Sequence, residues 1–94
     1  MNIARSLADL GAGLARARQD LRIAEEQLLF QAEVMEDART RMLVSETPLA
    51  ERDFRIARDD YERLDRQRSR LSAEIADLRR EQDRLLDRML APRP

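Results

Sequence analysis

Met42-Leu43-Val44-Ser45-Glu46-Thr47-Pro48-Leu49-Ala50 lies at the middle of the chain, and its reading decides the fold. Pro48 lacks the backbone N–H that a helix interior needs, but at a first helical position that donor is not required. Thr47, just before it, suits an N-cap, because its hydroxyl accepts a free amide of the first turn. Glu51 and Asp53 then fall near the positive end of a helix dipole. The stretch therefore reads as the end of one helix and the start of another.

The sequence on either side agrees. Leu7, Leu14, Leu21, Leu28, Met35 and Met42 recur every seven residues, and so do Ala50, Ala57, Leu64, Leu71, Leu78 and Leu85. Folding back at Glu46 sets each member of the first series against one of the second, since the paired residue numbers add to 92. The same sum pairs Ile3 with Met89, Leu10 with Gln82, Ala17 with Ile75, Ala24 with Arg68, Gln31 with Tyr61 and Ala38 with Phe54. Two heptads that run toward each other and match predict an antiparallel coiled-coil hairpin. A single continuous helix would carry the first series on to Leu49 and Ile56. The second arm instead keeps Phe54, Tyr61, Ile75 and Met89 in that role, so the phase breaks beside Thr47-Pro48. The expected organisation is one all-α hairpin over 1–94, with helix one at about 2–44, a turn at 45–47, helix two at about 48–90 and a tail at 91–94.

The facing layers alternate large with small, which lets helices approach without voids. Met35 and Met42 meet Ala57 and Ala50, Phe54 meets Ala38, and Ile75 meets Ala17. The same register sets Arg39 and Arg41 near Glu51 and Asp53, Glu36 and Asp37 near Arg55 and Arg58, and Glu25 and Glu26 near Arg66 and Arg70. Surface pairs of this kind contribute ~0.5 kcal/mol each, but together they disfavour slipped registers. Gln31 is placed to share a hydrogen bond with Tyr61. Arg68 is placed to lay its stem along the seam with its guanidinium in water. Gly11 and Gly13 each cost about 1 kcal/mol against Ala, so fraying or a bend is expected there.

Composition narrows the function. Charged residues make up 39% of the 94 residues, and the aromatic residues are only Phe30, Phe54 and Tyr61, so a long charged helix is favoured over a thick core. The net charge of −1 gives no global pull toward nucleic acid or anionic membrane. His, Cys and Lys are absent, which removes the commonest bases and the thiol and amine nucleophiles. Ser6, Ser45, Ser69 and Ser72 have no partner base, and Gly11-Ala12-Gly13 has neither the strand nor the Lys of a phosphate loop. Carboxylate groups such as Glu33, Glu36 and Asp37 read as solvated helix faces, because no loop gathers their oxygens. We therefore expect no enzyme, no metal and no cofactor.

The informative remainder is apolar surface that the seam does not use. Ile23, Leu29, Phe30 and Val44 lie away from the seam, Val34 and Leu43 flank them, and Leu49 and Ile56 continue the strip past the turn. A contiguous exposed apolar patch marks an interface. The expected function is a structural or adaptor protein acting through coiled-coil contacts, with Ile23, Leu29, Phe30, Val34, Val44 and Ile56 as the contact residues. The expected partner is a second copy, paired into a four-helix bundle, and/or another protein. One alternative is nucleic-acid association through the basic stripe from Arg63 to Arg70, countered by the absence of an exposed aromatic among the arginines.

A second alternative is the membrane surface. The opening segment Met1-Asn2-Ile3-Ala4-Arg5-Ser6-Leu7-Ala8-Asp9-Leu10 is amphipathic and loosely resembles that of phage-shock-protein-A-like membrane scaffolds. The resemblance covers ten residues and implies peripheral attachment to lipid. Against it, the seam already uses Ile3, Leu7 and Leu10. Arg5, Asp9, Arg16 and Arg18 interrupt any secretory apolar core, and no apolar run is long enough to span a bilayer, so a cytoplasmic location is expected.

Overall fold

The computed structural model describes residues 2–92. Helix α1 runs Ile3–Ser45 and helix α2 runs Pro48–Leu90, the two are in contact, and there is no strand among the described residues. The chain is an all-α helical hairpin. Met1, at the head of the amphipathic segment, and Arg93 and Pro94 of the expected tail lie outside the described residues.

The helix ends follow local chemistry. Asn2, expected as the first helical residue, is instead the cap of α1: its Oδ1 accepts the Arg5 N–H at 3.1 Å. At the other end α1 continues one residue further than expected, to Ser45. The Glu46 N–H still donates to the Met42 carbonyl at 3.0 Å, while Glu46 itself turns left-handed with φ 49°. That is the conformation in which helices commonly terminate, and it is usually given to Gly. The reversal is therefore only Glu46 and Thr47. Thr47 caps α2 as expected, its Oγ1 accepting the Ala50 N–H at 3.2 Å, and Pro48 takes the first helical position.

Two compact units divide the hairpin, and each of the seam pairs whose numbers add to 92 falls inside one of them. The turn-proximal unit is Arg22–Ser69. Its buried residues are Ala24, Leu28, Ala38, Ala50 and Ala57, with Met35, Met42, Phe54, Tyr61 and Leu64 half-buried. The small member of each uneven layer is thus covered and the large member does the covering, as the size matching requires. Gln31 does not reach Tyr61. Its Nε2 donates to the backbone carbonyl of Ala57 at 3.2 Å, one turn earlier on α2. A carbonyl oxygen has two lone pairs, so it can take this donor and its own helical amide together.

The distal unit joins Met1–Leu21 to Arg70–Pro94. Leu14, Ala17 and Leu85 are its buried core, and Leu85 is 1% exposed. Helix α1 runs without interruption through Gly11 and Gly13, in contrast to the expected fraying or bend. Packing supplies the reason: Gly13 is half-buried, and Leu14 and Ala17 beside it are buried at the seam. Tertiary contact outweighs an intrinsic cost of about 1 kcal/mol.

Charges pair differently from the cross-helix expectation. Arg39 pairs with Glu36 and Arg58 with Asp59, so neither takes its expected partner on the other helix. Arg39 and Glu36 are three apart on one helix, about 5–6 Å at Cβ, so a local partner costs less side-chain entropy, and Asp59 is the sequence neighbour of Arg58. Arg68 also pairs locally: its Nε and Nη2 donate to Asp65 Oδ1 at 3.1 and 2.9 Å, and the residue is half-buried.

Candidate functional site

The site begins with side chains that the seam leaves uncovered. In the turn-proximal unit Ile23, Leu29, Phe30, Leu43, Val44, Leu49 and Ile56 are exposed, with Phe30 at 67%, Val44 at 80% and Leu49 at 66%. Among the described residues of the distal unit, only Met89 and Leu90, at the end of α2, are large apolar residues left exposed. The apolar surplus is therefore concentrated in one unit.

Three depressions in this unit join into one groove. Val44, Leu49 and Ala50 line the one beside the turn, together with Arg41 and Asp53. Arg41 and Asp53 also line the next, with Val34, Ile56 and Phe30. Phe30 and Gln31 then pass into the third, which reaches Ile23, Gln27 and Leu64. Shared walls set the three side by side as a strip on one flank of the seam, with Gln31, Ala57 and Ala50 among its lining. Helical geometry accounts for it. Ile23, Phe30 and Val44 are separated by multiples of seven, which keeps them on one face of α1, and the antiparallel return brings Ile56 and Leu49 of α2 alongside.

The six contact residues expected from sequence separate on this geometry. Ile23, Phe30, Val34, Val44 and Ile56 share the groove, and Val34 is half-buried in its wall. Leu29 is 72% exposed but lies on the opposite flank, in a shallow depression with Leu28, Ala32, Tyr61 and Arg68. Leu43, two heptads from Leu29, shares its flank. Leu49 belongs to the groove although it was outside the expected contact set. Its signal was its place one heptad before Ile56.

The electrostatics are mild. Arg41 and Asp53 flank the groove near the turn, and Asp60 accepts from Arg63 Nη2 at 2.8 Å at its middle. On the basic stripe Arg63 and Arg68 are thus engaged by Asp60 and Asp65. In the distal unit the hydrogen bond that Arg84 donates to Glu81, and then the charge of that carboxylate, raise the pKa of the Arg84 guanidinium above its usual value, so it stays charged at any working pH. Ile3, Leu7 and Leu10 of the opening segment are half-buried at the seam. Among the described residues, no three His, Cys, Asp or Glu side chains are placed to share a metal ion, and no helix is long and apolar enough to cross a membrane. The chain matches no family model, no curated protein and no solved structure.

Proposed function

We propose that this protein is a non-enzymatic helical interaction module that associates with a second copy of itself through the groove from Ile23 to Val44. The observation that carries the reading is the continuity of that groove. Isolated exposed leucines are ordinary, whereas a contiguous strip holding Phe30, Ile56, Val44 and Leu49 loses free energy in water along its whole length. Covering it with another hairpin makes a four-helix assembly, the common way for paired amphipathic helices to complete a core. The groove holds no His, Cys or Lys, and among the described residues no acidic side chains cluster to share a metal ion, so the work proposed is contact rather than chemistry. Sedimentation equilibrium at tens of micromolar tests this. A mass of twice 11.0 kDa is expected, and a strict monomer overturns it.

A further inference from the structure

The two units close their parts of the seam with different side chains. The distal layers include Leu7 with Leu85, Leu14 with Leu78 and Leu21 with Leu71, leucine pairs in which every member is buried or half-buried. In the turn-proximal unit Leu28 with Leu64 is such a pair. Its remaining layers each hold an alanine or a polar side chain: Ala24 with Arg68, Gln31 with Tyr61, Met35 with Ala57, Ala38 with Phe54 and Met42 with Ala50. Among the described residues of this unit, Leu28 is the one buried side chain larger than alanine. An alanine removes less apolar surface from water than a leucine, so these layers hold the arms together less strongly. The same unit leaves Ile23, Phe30, Val44, Leu49 and Ile56 exposed. Its large apolar side chains thus lie at the surface more than at the seam.

We infer that the turn-proximal unit is the weaker of the two and that filling the groove orders it, so that local opening and association form one equilibrium. The inference rests on the self-association proposed above and adds a conformational coupling to it. When this unit opens, the distal arms stay joined through Arg22–Ser69, and the entropy of closing such a loop grows only slowly with its length. Phe30 and Ile56 stand as walls of one depression only while the two helices of this unit are paired. A second copy seated there binds the closed form alone and draws the population away from the open one.

Local effects predict the opposite order. Gly11 and Gly13 lower the helix propensity of the distal unit, and the reversal at Glu46 and Thr47 tethers the turn-proximal arms at close range. The inference holds that burial at the seam outweighs both, and the two orders are opposite in a single measurement.

Hydrogen exchange by mass spectrometry on the full chain, with sedimentation at the same concentrations, tests it. In dilute monomer, amides within 28–42 and 50–64 should exchange about tenfold faster or more than those within 14–21 and 71–85, after correction for intrinsic rates. Raising the concentration to about 100 times the dimer Kd should slow exchange in the turn-proximal unit on the order of 100-fold. Equal protection of the two units, or the reverse order, overturns the inference whatever the oligomeric state. A dimer by sedimentation whose turn-proximal exchange does not change with concentration overturns the coupling and leaves self-association standing. A monomer at every concentration overturns self-association and the coupling together.

Discussion

Gln31 and Ala57 are joined across the hairpin by a side-chain hydrogen bond, Nε2 to carbonyl oxygen, at 3.2 Å. The donor comes from a seam position of α1 and the acceptor from the backbone of α2, so the bond records the register of one helix on the other. A seam amide of this kind specifies alignment more than stability. Gln31→Met keeps the volume and removes the donor, while the Ala57 carbonyl retains its helical partner. Its cost in a urea melt should be within about 1 kcal/mol. A loss beyond about 3 kcal/mol would mean that Gln31 holds the seam together rather than aligning it.

Phe30 and Leu29 are neighbours in sequence with similar exposure on opposite flanks. Phe30→Glu should return the assembly to monomer at tens of micromolar with its helical circular dichroism kept. Leu29→Glu should leave the mass unchanged. Equal effects from the two would show that the groove is not the contact surface.

Glu46 carries the left-handed conformation that ends α1, with φ 49°. A side chain there costs roughly 1 kcal/mol that glycine does not pay. Glu46→Gly should therefore be neutral to stabilising by up to about 1 kcal/mol, despite the extra freedom it adds to the unfolded chain. Thermal unfolding at fixed protein concentration measures it, and a clear drop in midpoint would contradict the assigned turn.

Among the described residues Leu85 is the one large side chain almost wholly removed from solvent. Leu85→Ala should cost about 2–4 kcal/mol, through lost transfer free energy and the cavity left behind. Chemical denaturation followed by circular dichroism reads the loss. Leu85 belongs to the distal unit and does not line the groove, so the self-association of the folded fraction should be unchanged.

Much of the hairpin was legible because its signals are periodic or local. Leu14, Leu28, Ala38, Ala57 and Leu85 fall on heptads, and each is buried. Thr47-Pro48 announces a helix start through the chemistry of a hydroxyl and a missing amide, and the cap forms as read. What misled was competition among similar options. Arg39 and Arg58 had acceptable partners on both helices, and the nearer ones won. Gln31 had a phenol and a carbonyl within one turn of each other and took the carbonyl.

The sequence by itself determined two arms, their turn and their register, since hydrophobic spacing and helix-end chemistry act within a few residues. Only the tertiary structure decided how the leftover apolar side chains are grouped. Phe30 and Ile56 become walls of one groove because α2 returns antiparallel along a particular flank of α1, while Leu29 is carried round to the other. Each residue's angle about its own helix follows from local spacing, but adjacency across two helices exists only once they pack.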